Sequence, residues 1–216
     1  MKRMIVLLAV AAALGGCQLF HKEGASGSGK TKAEKRSLSG FKAVNISGAF
    51  EVEIVAQKEA GVELEGDDNL LPLVRTEVND GVLSIFNDRS YSTSDAIRVR
   101  ISVPQLDAVS TSGASDIVVT NVKSDDFNVS TSGAGSLKIS GEARTLDLEI
   151  SGAGSVDTKD LRAARVSVDS SGAAEADVYA SEELRVSASG AGSVNYYGDP
   201  KNVSESVSGG ASVSKR

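Results

Sequence analysis

Two aspartates come closest to a catalytic arrangement in this chain. Asp157 and Asp177 occupy the same place in two successive sequence repeats, five residues after a glycine. Stacked repeats would bring their carboxylates within a few ångströms of each other. Such a pair could cleave a polysaccharide or begin a calcium site, although calcium takes about six to eight oxygen ligands. We favour the alternative, an outward polar row in which Lys138 offsets their charge.

Four other side chains could contact a ligand. Arg98 and Arg100 share one face of a predicted strand and could receive an anionic sugar, although such pairs more often protect an edge strand from aggregation. Tyr179 and Tyr197 could offer aromatic surfaces to a sugar or a protein. Tyr196 falls at an inward position, so we expect it in the core.

The sequence does not offer the residues that other common catalytic and metal sites require. The only histidine, His21, lies in a predicted tether remote from the folded part, and the only cysteine, Cys17, is expected to be modified. We therefore expect no Ser/His/Asp or Cys/His arrangement and no zinc site. Its glycine-rich segments lack the Gly-Lys-Ser/Thr ending of a phosphate-binding loop. We therefore expect no enzyme activity, no cofactor and no metal.

The chemistry expected of Cys17 is lipid attachment. A basic start precedes an apolar run over residues 5–14, which is typical of a secretory signal peptide and too short to span a bilayer. Residues 14–17, Leu-Gly-Gly-Cys, resemble the lipobox of bacterial lipoproteins, which implies cleavage between Gly16 and Cys17 and acylation of the thiol. Gln18 implies sorting to the outer membrane, with the side of that membrane left open.

Charge narrows the choice of partners. Removal of residues 1–16 would remove Lys2 and Arg3 and no acidic residue, so 23 basic residues become 21 against 29 acidic ones, a balance of −8. Nucleic acid requires a basic face, and a grip on anionic lipid requires a basic cluster. The expected partners are the membrane through the Cys17 anchor and an unidentified protein or glycan. Self-association is a further possibility, and nucleic acid is not expected.

Composition divides the mature chain. Residues 17–36 are rich in Gly, Ser, Lys and Glu without an apolar period, which predicts a flexible tether after the lipidated cysteine. Residues 37–216 are predicted to form a single domain. Its first part, residues 37–105, indicates an irregular β cap with a hairpin turn at Asp80-Gly81.

From residue 106 the chain repeats itself. A Ser-Gly pair recurs six times, with glycine intervals of 20, 19, 20, 18 and 19 residues. Apolar residues keep a fixed distance of four places before and four places after that glycine, except in the sixth copy, where Glu205 stands at the earlier place. The pairs are Ser112–Gly113, Ser132–Gly133, Ser151–Gly152, Ser171–Gly172, Ser189–Gly190 and Ser208–Gly209.

This repetition predicts an all-β solenoid of about six rungs of 18–20 residues, because units of that length bury an apolar side only when stacked. The glycine would supply the corner conformation, the serine hydroxyl would bond to the backbone or the next rung, and the following alanine would fit inside the bend. An antiparallel sandwich is the competing architecture. The fixed register favours the solenoid.

The order of these features resembles the head GIN domain of putative autotransporter adhesins over residues 39–213. The shared features are the opening at 41–50, the segment 67–71, the hairpin at 80–83, the Ser-Gly-Ala-Gly-Ser series and residues 197–200. The resemblance implies a right-handed, parallel β-helix-like fold on an exported, often lipid-anchored protein. It implies no functional residue.

A non-enzymatic envelope lipoprotein with a structural, binding or adhesion role is the function that these features favour. Two alternatives stay open: a carboxylate- or calcium-dependent polysaccharide lyase or hydrolase, and an envelope-stress scaffold.

Overall fold

The computed structural model describes residues 24–216, so the predicted signal peptide, Gly16 and Cys17 lie outside the described residues. Strands dominate, with one short 3-10 helix at Leu71–Leu73, and no helix among the described residues is long and apolar enough to cross a bilayer. In chain order the strands are β1 Ala25–Ser26, β2 Thr31–Arg36, β3 Ala43–Gly48, β4 Phe50–Ala56, β5 Gly61–Asp67, β6 Val74–Asn79, β7 Val82–Asn87, β8 Tyr91–Ser92, β9 Ile97–Val103, β10 Ala108–Gly113, β11 Asp116–Gly133, β12 Ser136–Gly152, β13 Ser155–Gly172, β14 Glu175–Gly190, β15 Ser193–Tyr197, β16 Asn202–Gly209 and β17 Ser212–Lys215.

The strands from β10 onward stack as parallel coils. Each of the long strands β11 to β14 covers two sides of the coil and pairs in parallel with the next. β10 precedes this series, and β15, β16 and β17 continue it. The predicted all-β solenoid is therefore confirmed.

Apolar columns fill the coil, because residues at equivalent places lie above one another at a spacing of about 4.8 Å. Burial of each Val or Leu side chain contributes about 1.5–3 kcal/mol relative to exposure. The column four places before the glycine contains Val109, Val129, Leu148, Val168 and Val186, all buried. The column four places after it contains Ile117, Leu137, Val156, Ala176 and Val194, also buried.

The corner glycines stand in one file. Gly113 pairs with Gly48 on one side and with Gly133 on the other. A Cβ on Gly133 would overlap the carbonyl oxygen of Gly113. That oxygen accepts a hydrogen bond from the amide of Ala134 at 2.9 Å. The absence of a side chain therefore lets successive rungs approach closely enough to bond.

The alanine after each glycine does not fit inside the bend as predicted. Ala134 and its equivalents are exposed, because the alternation of inward and outward residues continues through the corner and places them on the outside. The next residue turns inward instead: Ser115 and Ala174 are each 2% exposed. A Cβ on Gly135 at this place would overlap the carbonyl oxygen of Ser115.

The stack begins before the sequence repeats do. β3 and β4 are joined by the corner Ser47-Gly48-Ala49 and pair in parallel with β10 and β11. β7 and β9 lie beyond them, also in parallel, and the antiparallel strands β6, β5 and β2 follow. The predicted hairpin turn joins β6 to β7, with Asp80 and Gly81 at φ 50° and 78°.

The prediction of a flexible tether over residues 17–36 is wrong for residues 25–36. β1 pairs with β8, and β2 pairs with β5. The Arg36 side chain is 16% exposed, and its guanidinium donates hydrogen bonds to the carbonyls of Val74 at 2.7 Å and Leu71 at 3.1 Å. The segment lacks an apolar period because backbone pairing at a sheet edge and one arginine attach it, rather than a buried face.

The segment before β2 is attached by side chains of the cap. The Asp67 carboxylate accepts a hydrogen bond from the amide of Gly29 at 2.7 Å and another from the Thr93 hydroxyl at 2.6 Å. Asn69 bonds to the backbone of Ser26 and Ser28 at 2.8 and 2.9 Å. The described chain is therefore folded onto the cap from its first strand.

Candidate functional site

The predicted carboxylate pair lies on the outer side of β13 and β14. Asp157 and Asp177 are partners in register on adjacent strands, and both carboxylates already contact polar side chains of the protein. The Lys159 ammonium lies 2.8 Å from Asp157 Oδ2 and 3.9 Å from Asp177 Oδ2. Lys138 Nζ lies 3.8 Å from Asp157 Oδ2, and Asn195 Nδ2 donates to Asp177 Oδ1 at 2.9 Å. The two carboxylates thus belong to a polar row, as the favoured interpretation expects.

Two members of this row were missed from the sequence. The hydrogen bond to Asp157 raises the pKa of Lys159, so this side chain stays a cation. Lys159 follows Asp157 by two residues, and alternation could have placed them on one side. Arg216 Nε donates to Asn195 Oδ1 at 3.2 Å. That contact has no local sequence signal, because Arg216 comes from the next rung.

The tyrosines lie at the end of the same sheet. Tyr179 and Tyr197 are partners in register on β14 and β15, and both are half-buried. The Arg162 guanidinium carbon stands 4.2 Å from the centroid of the Tyr179 ring, which is a cation–π contact. Tyr196 packs against the core, as its inward position predicted. One ring of the predicted aromatic pair therefore already has an arginine over its face.

Arg98 and Arg100 are not free to receive an anion. Arg98 Nε lies 2.9 Å from Glu51 Oε2, and Arg100 Nη1 lies 2.9 Å from Glu65 Oε2. Glu63 is 3.9 Å from Arg100. The hydrogen bond and charge of Glu51 raise the pKa of Arg98. An anionic sugar would have to displace these glutamates.

The corner serines belong to a different side of the coil, which we call the serine face. It consists of the outward side chains one and three places before each corner glycine, and ten of these twelve residues are serine. The row beside the corner is Ser112, Ser132, Ser151, Ser171, Ser189 and Ser208. The second row is Ser110, Ser130, Glu149, Asp169, Ser187 and Ser206.

The expectation that the corner serine hydroxyls bond to the backbone or to the next rung is wrong. None of the ten serine hydroxyls on the serine face forms a hydrogen bond to a protein atom within residues 24–216. The serine hydroxyls that do form such bonds lie outside this face. The bonded hydroxyls are those of Ser28, Ser102, Ser115, Ser124, Ser136, Ser140 and Ser181. The side chains on the serine face point away from the sheet, so a hydroxyl there meets solvent before it meets a backbone group.

A shallow concavity of about 320 Å³ opens on the serine face. Ser130, Glu149, Asp169 and Ser187 are among the residues that line it. Within the described part of the chain, no three His, Cys, Asp or Glu side chains form a group that could hold a metal ion.

A family match covers most of the described chain. Residues 40–200 match the family described as "Putative auto-transporter adhesin, head GIN domain". The chain belongs to this family. The resemblance read from the corner series and the hairpin is therefore confirmed. Comparison of this head GIN domain with curated proteins gives no match.

Solved structures share the fold of this head GIN domain. A "putative adhesin" from Bacteroides fragilis NCTC 9343 has a TM-score of 0.74 and 22% identity, and the match covers 89% of this chain and 100% of that one. A "putative lipid binding protein" from Parabacteroides distasonis ATCC 8503 has a TM-score of 0.54 and 19% identity, with 90% and 100% coverage. Similarity at these identities establishes the fold alone.

Proposed function

We propose that this head GIN domain is a non-enzymatic envelope lipoprotein that binds a partner through the flat sides of its solenoid. The observation that carries the proposal is the register of the coils, which repeats outward polar side chains rung after rung on a rigid parallel sheet. A preorganised surface binds with little loss of conformational freedom. The adhesin descriptions of the family and of the Bacteroides fragilis structure support a binding role.

Acylation of Cys17 is the second part of the proposal. Each buried methylene of a lipid contributes about 0.8 kcal/mol, so one chain anchors weakly and several chains anchor firmly. The lipobox at residues 14–17 and the following Gln18 support export and attachment to the outer membrane.

The docked N-terminal segment would make the anchor short. Residues 25–26 and 31–36 are paired into the cap, and six residues separate Cys17 from Gly24. Whatever their conformation, they reach about 24 Å at full extension. We propose that the cap lies close to the membrane and that the later coils project from it.

The anchor is tested in cells with the full chain and its Cys17→Ser variant, each with a tag after Arg216. We expect the unchanged chain to be found in the outer-membrane fraction and to be labelled metabolically by a fatty acid. We expect the variant to be absent from that fraction and to carry no label. Protease shaving of intact cells then shows which side the coils occupy. Equal labelling of both chains would overturn the anchor.

The binding role is tested with the purified full chain in detergent, against envelope extracts and arrays of soluble and insoluble glycans. We expect saturable binding of at least one component. No binding above that of an unrelated acylated protein, for proteins and glycans alike, would overturn the proposal.

A further inference from the structure

The end of the stack that β16 and β17 form has a free edge. Among the described residues β16 pairs only with β14, and β17 pairs only with β15. A strand at the edge of a sheet presents a row of backbone N–H and C=O groups that have no strand partner. The eight residues of β16 therefore offer an edge of about 26 Å to which another strand could pair.

Two inward side chains of this edge are apolar. Val203 and Val207 are in register with Leu184 and Ala188, which are buried. Because no further rung of the described chain covers the two valines, they are 43% and 44% exposed. They are two of the three large apolar side chains that are exposed among residues 24–216. A strand added to β16 would cover both.

A carboxylate lies between the two valines. Glu205 occupies the inward position in register with the buried Val186, and it is exposed. It forms no ion pair and no side-chain hydrogen bond within the part of the chain that the structure describes. The basic residue beside it on β14, Arg185, is in register with Ser204 and lies 3.7 Å from Glu183 on the outer side. The Glu205 carboxylate is therefore open to a cation from another chain.

We propose that the free edge of β16 binds an extended protein segment with Lys or Arg at its centre and apolar residues two places before and after it. Pairing places the basic side chain opposite Glu205 and the apolar side chains beside Val203 and Val207. Backbone hydrogen bonds supply affinity, and the alternate side chains supply specificity. This surface is the end of the stack, distinct from the flat sides to which the proposed function assigns binding.

The same carboxylate excludes a second copy of this chain. Antiparallel pairing of two β16 strands about Glu205 would place two carboxylates opposite each other, and like charges in that position destabilise a strand pair. A basic residue there replaces the repulsion by attraction. One charge therefore distinguishes the basic segment from another copy.

The test uses the purified full chain in detergent and two peptides with blocked ends. The acidic peptide has the sequence of residues 202–208, and the basic peptide has the same sequence with Glu205→Lys. The protein variants are Glu205→Lys and, as the matched control, Glu142→Lys. Glu142 is exposed on β12 in the middle of the stack, so both variants change the net charge equally. Circular dichroism and thermal melting verify that they fold.

Binding is followed by the amide chemical shifts of the isotope-labelled chain, which also locate the peptide. We expect the unchanged chain and Glu142→Lys to bind the basic peptide with about tenfold higher affinity than the acidic one, with the shifts concentrated in residues 202–208. Glu205→Lys should reverse this preference. Affinity for the basic peptide should fall as salt rises. The basic peptide with Ser204→Pro and Ser206→Pro should not bind, because proline cannot donate to the ladder.

Three results would overturn the inference. They are no saturable binding up to about 5 mM basic peptide, equal affinity for the two peptides, and shifts located away from β16. The same preference in Glu205→Lys as in the unchanged chain would also contradict it. The peptide comparison needs only the unchanged chain, so it decides the question even if Glu205→Lys does not fold.

Discussion

Glycine at the corner is required by the neighbouring rung more than by its own backbone conformation. Gly113, Gly172 and Gly190 have positive φ values of 111°, 140° and 106°, whereas Gly133 and Gly152 are not among the residues of positive φ. At all five places an added Cβ would overlap the carbonyl oxygen of the glycine in the previous rung. The common cause is therefore close backbone approach.

Replacement of Gly172 by alanine tests this cause. The Cβ would overlap the Gly152 carbonyl oxygen in addition to straining φ, so we expect a loss of about 2–4 kcal/mol in the free energy of unfolding in urea. Gly40→Ala is the matched control, since Gly40 has φ 79° with no atom near the added Cβ. It should cost about 1–2 kcal/mol, the strain alone. Equal losses would show that conformation, not approach, explains the file of glycines.

At the scale of elements, two segments at opposite ends of the sheet are held by side chains more than by a core. β2 is exposed or half-buried throughout and depends on pairing with β5 and on Arg36. β17 pairs with β15, and Lys215 Nζ near its end lies 2.7 Å from Asp199 Oδ1. Such segments open locally before the rest of a protein does.

Arg36→Met should loosen β2. The substitution keeps much of the apolar stem but leaves the Val74 and Leu71 carbonyls without their donor, so we expect about 1–3 kcal/mol less protection against amide exchange in residues 31–36. Lys32→Met on the same strand, where the side chain is exposed, should leave exchange unchanged. Identical exchange in the two variants would mean that backbone pairing alone holds β2.

The pair between Asp199 and Lys215 should make β17 sensitive to pH. The hydrogen bond from Lys215 lowers the pKa of Asp199 below its ordinary 3.8, so the stabilisation is present above that value and is lost as pH falls through the lowered pKa. The same bond raises the pKa of Lys215 above 10.5, so stabilisation is also lost as pH rises through that raised pKa.

Amide protection factors of residues 212–215, corrected for intrinsic exchange, check this dependence. They should be constant near neutral pH and fall in strong acid. In Asp199→Asn they should already be lower at pH 7 and show no acid transition. An acid transition of the same size in the variant would assign it to another group.

At the scale of the whole molecule, the two ends of the stack differ. Antiparallel strands close the end formed by the cap. At the other end β16 is exposed at every position, with Val203 43% and Val207 44% exposed, and Glu205 stands at the place that Val186 occupies in the rung before. A charge at an inward place on an edge strand discourages pairing with another copy.

Glu205→Val should therefore promote association between molecules. The variant would expose three valines in alternation on a strand with one free edge, and we expect stronger concentration-dependent association in sedimentation velocity than for the unchanged chain. Ser204→Val, on the outward side of the same strand, is the control and should have a weaker effect. If the unchanged chain already associates and Glu205→Val does not strengthen it, the charge has no such role.

The repeat in the sequence was sufficient to predict the stacking of the coils. The apolar residues stand at the same distance from Gly133 as from its equivalents, and this constant spacing indicates which residues lie above one another. The alternation of inward and outward side chains also predicted the inward place of Tyr196. Continued through the corner, the same alternation would have predicted the outward place of Ala134. These properties are local and periodic. A period is visible in one chain without coordinates.

Only the tertiary structure decided which partners the polar side chains have. Arg36, Asp67 and Arg216 act across 21 to 38 residues of sequence, so nothing beside them in the chain announces their contacts. The same holds for Asp157, which is neutralised by lysines from its own and the preceding rung, and for the serine face, which is left unpaired. Hydrogen bonds and ion pairs depend on distances of a few ångströms, which the fold sets and the sequence period does not.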